Sequence, residues 1–202
     1  GLGLSAIWNL AEYFLVLAGT LLLHGLVTYS AMLKGFTGLS PITFLRKMED
    51  AIMFAFSTAS SNATIPVTME TAKNRMGVDN KVASFTVPLG ATVNMDGTAI
   101  MQGVATAFIA QAYNIDLTMG DYLMVILTAT LASVGTAGVP GVGLVMLAMV
   151  LNQVGLPLEG IALIMGVDRL LDMIRTAVNI TGDSAVTIIV AKSEGSLDES
   201  RF

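Results

Sequence analysis

Residues Val167–Asp183 read VDRLLDMIRTAVNITGD, which places three aspartates and two arginines between two uncharged segments, IALIMG and SAVTIIVA. The rest of the chain avoids charge: 12% of its 202 residues are charged and 54% are apolar, and the mean hydropathy is +0.75. Soluble domains carry about a quarter charged residues, so this composition is typical of an integral membrane protein. A charge in hydrocarbon is costly unless it is paired or hydrated. The five charges therefore need partners or water at membrane depth.

A helical conformation gathers the polar residues of this stretch on one side. At 100° per residue, an arc of roughly 80° contains Asp168, Asp172, Arg175, Asn179 and Asp183. A single polar stripe that faces the interior of a helix bundle avoids the cost of exposure to lipid. The stretch therefore predicts a membrane helix with a polar inner face.

Several classes of protein are not expected from the composition. The chain has no cysteine, which excludes disulfides and thiolate metal sites. The net charge of −5 provides no basic patch for nucleic acid. The one histidine, His24, lies far along the chain from the polar stripe, so an enzyme is not expected and His24 is interpreted as a helix contact. The chain opens GLGLSAIW, without a Met or a basic segment, so we expect no signal peptide and a piece of a longer protein.

Five apolar blocks follow one another: 1–34, 51–69, 82–115, 122–151 and 161–191. A bilayer crossing needs about 20 residues. Two blocks are interrupted at their centres by turn-forming residues, STASSNATIP in 51–69 and SVGTAGVPGVG in 122–151. These two blocks are the candidates for helical hairpins.

The basic residues indicate the topology, because Lys and Arg near membrane helix ends mark the cytoplasmic side. Both flanks of block 51–69 are basic, with Lys34, Arg46 and Lys47 before it and Lys73, Arg75 and Lys81 after it. The connections 114–121 and 152–160 contain neither Lys nor Arg. Each interrupted block therefore has both ends on one face, and we predict two re-entrant hairpins whose tips are buried in protein or line a wet cavity.

The two predicted hairpins define an inverted repeat. Block 51–69 precedes a helix that contains NMDGT, Asn94–Thr98, and block 122–151 precedes a helix that contains NITGD, Asn179–Asp183. Secondary transporters bind their substrates where such repeats meet. The predicted fold class is an all-α integral membrane transport domain with two re-entrant helical hairpins and broken transmembrane helices.

The stripe offers ligands of both signs. Arg175 can hold a carboxylate by two parallel hydrogen bonds, and Asp172 can hold an ammonium group. An acidic amino acid needs both. Asp96 and Asp183, with carbonyls freed at NMDGT, supply the hard oxygens that a small cation prefers. The alternative interpretation of Arg175 and Asp172 is a structural ion pair that joins helices.

NMDGT, the two Ser/Gly/Pro hairpins and DxxxDxxRTxxNxTGD resemble the glutamate transporter family of sodium- or proton-coupled dicarboxylate and amino-acid symporters. The resemblance runs along all 202 residues. It implies the transport-domain part of a multi-pass protein of the cell (inner) membrane, from the sixth membrane helix to the eighth. It also implies a homotrimer, formed through a scaffold domain that lies outside this chain together with the third helix.

The resemblance implies a substrate role for ten residues. Arg175 is implied to bind the side-chain carboxylate and Asp172 the amino group. The others complete the pocket or close over it: Asn179, Thr98 and Thr176, then Ser60, Ser61 and Asn62 of hairpin 1, and Val139 and Gly143 of hairpin 2.

Sodium ions are the implied coupling ions, at three places. The first site comprises Asp183 with the carbonyls of Gly90, Asn94 and Asn179. The second comprises Thr92 and Met95 with hairpin 2 carbonyls near Ser133 and Thr136. The third involves Asp96 and the Asn94 side chain, and its other ligands would come from the third helix.

Particular residues narrow the expected function. The presence of both Arg175 and Asp172 favours aspartate or glutamate as substrate. Gln102 stands where proton-coupled members of the resembled family carry glutamate, which favours coupling to sodium alone. Asn62 replaces the third serine of the commonest hairpin 1 tip, and Ala59 and Met173 occupy the positions of a family arginine. The alternatives are a proton-coupled dicarboxylate symporter, an ion channel built on re-entrant loops, and a sensor that binds without transport.

Overall fold

The computed structural model describes residues 4–202, with side chains from Ile7 onward. Within this range the chain is helical apart from turns and one antiparallel bridge between Val78 and Leu197, which confirms the predicted all-α class. The α-helices are α1 Leu4–Leu23, α2 Tyr29–Thr37, α3 Pro41–Lys47, α4 Glu49–Thr58, α5 Ser61–Glu70, α6 Asn80–Val93, α7 Asp96–Ala112, α8 Met119–Ser133, α9 Val142–Gln153 and α10 Ile161–Ser193.

A π-helical turn, His24–Thr28, joins α1 to α2 without a break. The run Ile7–Thr37 has 31 residues and a mean hydropathy of 1.8, so it is long and apolar enough to cross a membrane. Most of its exposed side chains are apolar, among them Trp8, Leu15 and Leu23. Such a surface is typical of a helix that faces lipid or another helix.

Each interrupted apolar block folds as two helices that pack on each other. In hairpin 1, α4 and α5 meet at Ala59, which has a left-handed conformation (φ 51°), and at Ser60, whose hydroxyl accepts the N–H of Ala63 and caps α5. In hairpin 2, residues 134–141 form the turn between α8 and α9. Glycine is used where this turn needs a positive φ, as at Gly135 and Gly141.

The two polar motifs differ in conformation. NMDGT interrupts the helix, because α6 ends at Val93 and α7 begins at Asp96. NITGD does not interrupt α10, which continues for 33 residues. Gly182 instead allows close packing: a Cβ at this position would lie 2.4 Å from the Asn94 amide nitrogen and 2.5 Å from the Tyr29 hydroxyl.

Helix α10 is the centre of the bundle. It packs against α1, α2, α4, α6 and α7. The predicted polar stripe is buried along its whole length, from Asp168 to Asp183. Apolar side chains such as Leu17, Leu21, Phe44 and Met48 are fully buried around it. The fold therefore brings both hairpin tips and the NMDGT break against one charged helix face.

Candidate functional site

The guanidinium of Arg175 is shared between two carboxylates of its own helix. Its Nη1 atom donates to Asp168 Oδ1 at 3.0 Å, and its Nη2 atom donates to Asp172 Oδ1 at 2.8 Å. The side chain is 1% exposed. Both ion pairs lie within α10. They therefore do not join two helices, which is what the alternative interpretation of Arg175 and Asp172 supposed. One cation faces two anions, and the group keeps a net negative charge.

The start of α9 lies directly over this group. The N–H of Gly141 donates to Asp172 Oδ2 at 2.9 Å. A Cβ at Gly143 would lie 2.9 Å from Met101 Cε and 3.2 Å from Arg175 Nη2. The backbone of hairpin 2 therefore approaches Arg175 so closely that a larger residue at position 143 would require its neighbours to shift.

The two hairpin tips meet at one carbonyl oxygen. Gly138 O accepts the hydroxyl of Ser60 at 2.7 Å and the N–H of Asn62 at 3.1 Å. A Cβ at Gly138 would lie 2.8 Å from Asn62 Oδ1. The tip of hairpin 2 thus packs directly on the tip of hairpin 1, in the space that a side chain at position 138 would occupy.

A small cavity lies between the tips, the NMDGT break and α10. Its volume is about 10 Å³, which is hardly room for a water molecule. The lining includes predicted substrate residues from four segments: Ser61, Thr98, Val139, Gly143, Asp172, Thr176 and Asn179. Ser60 and Asn62 contact it through Gly138, and Arg175 through Asp172. In this conformation the pocket is closed to any ligand larger than a water molecule.

A second polar cluster surrounds Asp183, one helical turn beyond Asn179. Asp183 Oδ1 accepts the Asn94 side-chain amide at 2.9 Å, and the same amide donates to the Asn179 carbonyl at 3.2 Å. A Cβ at Gly90 would lie 2.7 Å from Asp183 Oδ1. The fold thus gathers all four residues of the first implied sodium site, Asp183, Gly90, Asn94 and Asn179.

The carboxylate of Asp183 has no cationic partner among the described side chains, and it is 2% exposed. No group of three or more His, Asp or Glu converges anywhere in residues 7–202. A cation at Asp183 would therefore be held by one carboxylate and by neutral carbonyl and amide oxygens. That donor set suits a small hard cation better than a transition metal.

Asn179 connects the two clusters. Its Oδ1 accepts the N–H of Gly97 at 2.8 Å, and its amide contacts Met95 Sδ at 3.3 Å. Thr98, next to Gly97, lines the cavity. Asn179 therefore provides a direct physical connection between Asp183 and the pocket.

The residues of the second implied sodium site lie where hairpin 2 meets α6. Gly135 N–H donates to the Thr92 carbonyl at 2.7 Å. The hydroxyls of Thr92, Ser133 and Thr136 donate to carbonyls of their own chain segments. Met95 is buried beside them. In the closed conformation this seam is thus held by direct backbone contact.

Asp96 is contacted by His24. In the sequence, His24 lies far along the chain from the polar stripe, and it is interpreted there as a helix contact, without Asp96 named as its partner. Asp96 Oδ2 lies 2.6 Å from His24 Nε2 and accepts the Tyr29 hydroxyl at 2.6 Å. Its Oδ1 atom is buried and has no partner among the described residues. The pairing of His24 with Asp96 depends on how α1 and its π-helical continuation pack against α7.

Charged side chains and helix breaks that meet inside an apolar helical bundle are typical of membrane transport proteins. A sequence model of the sodium:dicarboxylate symporter family matches residues 1–193. The chain belongs to that family, as the sequence resemblance predicted.

Named relatives are similar over nearly the whole chain. An excitatory amino acid transporter of Caenorhabditis elegans is 43% identical over 190 residues, which are 94% of this chain and 38% of that protein. The proton/glutamate-aspartate symporter of Escherichia coli K12 is 39% identical over 199 residues, 98% of this chain and 45% of that protein. Human excitatory amino acid transporter 5 is 41% identical over 183 residues, 91% of this chain and 33% of that protein.

The chain therefore spans less than half the length of the relatives it matches. The family and these relatives are transporters rather than enzymes, which confirms that expectation of the sequence.

Proposed function

We propose that this chain is the substrate- and cation-binding part of a sodium-coupled symporter for acidic amino acids, L-aspartate or L-glutamate. The observation that carries the proposal is the sharing of Arg175 between Asp168 and Asp172 beneath the hairpin 2 backbone. The relatives named for glutamate and aspartate support the substrate class.

Substrate binding is an exchange of ion pairs. The side-chain carboxylate of the amino acid takes the place of Asp172 on Arg175 Nη2, and Asp172 turns its oxygens to the substrate ammonium. Asp168 keeps its bond to Nη1 and holds the guanidinium in position. The side-chain carboxylate and the ammonium of the substrate each gain a charged partner, and its α-carboxylate is left to the Ser60 hydroxyl and the Asn62 N–H, which Gly138 releases. The closed cavity has no room for this exchange, so hairpin 2 first leaves Asp172 and Gly138 leaves Ser60.

Sodium binding prepares the pocket. A sodium ion at Asp183, Gly90, Asn94 and Asn179 neutralises a carboxylate that is buried without a cationic partner in the described structure. It also fixes Asn179, whose Oδ1 orders Gly97 beside the pocket. Sodium and substrate then stabilise each other by linkage. A second ion at Thr92, Met95, Ser133 and Thr136 is expected to bind as hairpin 2 closes, and a third at Asp96 with Asn94.

Proton coupling is the second candidate, and the named activity of the Escherichia coli relative favours it. Gln102 stands against this candidate, because its buried side chain cannot titrate.

The proposed setting is a multi-pass protein of the cell membrane. In this setting the chain contains two inverted repeats. The first consists of hairpin 1 (α4–α5) with α6–α7, and the second consists of hairpin 2 (α8–α9) with α10. The two hairpins enter the membrane from opposite faces. The portion moves as a unit, in an elevator-type alternation, against a trimeric scaffold that lies outside residues 1–202. The asymmetry of basic residues around hairpin 1 supports this orientation.

Uptake of labelled L-aspartate into proteoliposomes of the full-length protein tests the proposal. An inward sodium gradient is expected to drive accumulation, and potassium in its place is not. Accumulation driven by a pH gradient without sodium would favour the second candidate. Downhill flux without accumulation would favour a channel, and tight binding without flux a sensor.

A further inference from the structure

Residues 194–202, termed the strap, leave the end of α10 and return along the open end of hairpin 1. Gly195 turns the chain with a φ of +65°. Asp79 N–H then donates to Ser196 O at 3.0 Å, and Asp198 N–H donates to Gly77 O at 2.8 Å. Leu197 and Phe202 pack against the main hydrophobic core. The strap is therefore built into the fold rather than lying loosely on it.

Lys47 fastens the strap to both arms of hairpin 1. It precedes α4, and its ammonium donates to the Arg75 carbonyl at 2.6 Å, just beyond α5. The same ammonium donates to the Arg201 carbonyl of the strap at 2.7 Å. The Phe202 ring centre lies 6.0 Å from it. One side chain thus joins three segments that are distant in sequence.

Gly77 provides a second, independent contact. Its φ is +74°, and a Cβ at this position would lie 2.2 Å from the Asp198 carbonyl oxygen. The strap therefore packs directly on the backbone at Gly77, between hairpin 1 and α6, with no space for a side chain at this position. Ion pairs between Lys192 and Glu199 and between Arg75 and Asp50 lie on either side.

Hairpin 2 has no corresponding fastening within the described part of the chain. The hydrogen bonds at its open ends are local, such as Ile115 N–H to Ala110 O and Leu156 N–H to Leu151 O. The two hairpins therefore differ in anchorage. Hairpin 1 is cross-linked at its base by long-range hydrogen bonds, whereas the base of hairpin 2 is held by apolar packing, as at Leu156 and between Gly160 and Ile109.

We propose that the strap immobilises hairpin 1, with Lys47 as the positioning residue, so that its tip forms a stationary seat for hairpin 2. Helix α4 is about 15 Å long at 1.5 Å per residue, and a rigid helix transmits a shift at its base to its tip. That tip carries Ser60 and Asn62, which bind Gly138 O. The proposal rests on the proposed function, because the seat matters only if hairpin 2 closes over a substrate.

Hydrogen exchange of the full-length protein tests the fastening directly. Lys47→Met is expected to raise exchange at residues 57–66 about tenfold, since two charge-assisted hydrogen bonds are lost. It is also expected to weaken sodium-dependent L-aspartate binding about five- to tenfold. Lys47→Arg keeps a cationic donor and is expected to restore both values. Lys73→Met is the matched control, because Lys73 lies at the same base and its ammonium has no hydrogen-bond partner in residues 4–202.

A second pair of variants removes the strap contact without changing charge. Gly77→Ala introduces strain and a clash with the strap, and it is expected to reproduce the effects of Lys47→Met. Gly155→Ala carries similar strain at a φ of +69° but meets no atom within 4 Å, and it is expected to leave exchange at residues 57–66 unchanged.

Unchanged exchange at residues 57–66 in both folded Lys47→Met and folded Gly77→Ala protein would overturn the proposal. An equal rise in Gly155→Ala would also overturn it, since the effect would then be one of general stability. Absence of sodium-dependent binding in the wild-type protein would instead overturn the proposed function and leave the exchange result intact.

Discussion

Gly141 and Asp172 are joined by a 2.9 Å hydrogen bond between a backbone N–H of hairpin 2 and a carboxylate of α10. The other oxygen of the same carboxylate accepts Arg175. One side chain therefore holds the hairpin shut and neutralises the guanidinium. A ligand that takes Asp172 away from Arg175 also competes for the atom that holds hairpin 2, so pocket occupancy and hairpin position are linked through Asp172.

Arg175→Ala should lose binding of acidic substrates. The substitution removes the only cation of the described pocket and leaves Asp168 and Asp172 without a cationic partner. Loss of one member of a buried hydrogen-bonded charge pair costs about 2–5 kcal/mol, so L-aspartate affinity is expected to fall at least about 30-fold. Calorimetric titration of the variant and the wild type with L-aspartate and with L-serine measures the affinity for an acidic and for a neutral amino acid. L-aspartate binding as tight as in the wild type would show that the pocket is assigned wrongly.

Asp183→Asn should weaken the sodium dependence of binding more than it weakens folding. Asparagine keeps the shape and an oxygen for the Asn94 amide, but it removes the charge that attracts the cation. The L-aspartate affinity is expected to become nearly independent of sodium, while the melting temperature changes little. Titrations at several sodium concentrations, with a thermal melt of each sample, separate the two effects. A normal sodium dependence would exclude Asp183 as a cation ligand.

Gly143→Ala should keep hairpin 2 from closing fully. The added Cβ meets Met101 Cε and Arg175 Nη2 at less than ordinary contact distance. Methionine can move aside, but the guanidinium is fixed by two carboxylates, so a cost of about 1–3 kcal/mol is expected. That cost corresponds to roughly five- to 150-fold weaker substrate binding. Gly166→Ala is the control, because a Cβ there meets no atom within 4 Å.

Thr118→Ala should destabilise the start of α8 without affecting the site. Thr118 and Asp121 form a reciprocal capping box, and loss of such a cap costs about 1 kcal/mol. Hydrogen bonds from the Thr118 hydroxyl and backbone hold the pKa of Asp121 below its usual value. A lowered pKa contributes stability above the ordinary aspartate pKa, and that stability is lost as the pH falls through the lowered value. The variant is therefore expected to melt earlier at pH 7 and to differ less from the wild type at pH 3; an equal difference at both values would contradict the role of Asp121.

The polar stripe of α10 was predictable from the sequence because helical periodicity alone brings Asp168, Asp172 and Arg175 together. The family resemblance supplied the positions near Asp183, and the fold gathers them. From the sequence, His24 is interpreted only as a helix contact, and its pairing with Asp96 depends on how α1 packs against α7. Periodicity also gave no reason to pair Arg175 with Asp168 as well as Asp172, since that choice depends on the rotamer in the packed bundle.

The strap contacts and the contact at Gly138 could not be predicted from the sequence either. Both depend on backbone carbonyls, which every residue carries, and on segments that are far apart along the chain. Only their packing shows that Lys47 reaches Arg201 and that Ser60 reaches Gly138.

The central claim is that sodium and an acidic amino acid bind together, and calorimetric titration of L-aspartate into the full-length detergent-purified protein tests it most directly. Linkage through Asn179 predicts tight binding in sodium and at least about a tenfold loss when potassium replaces it. Equal affinity in the two salts would contradict sodium coupling.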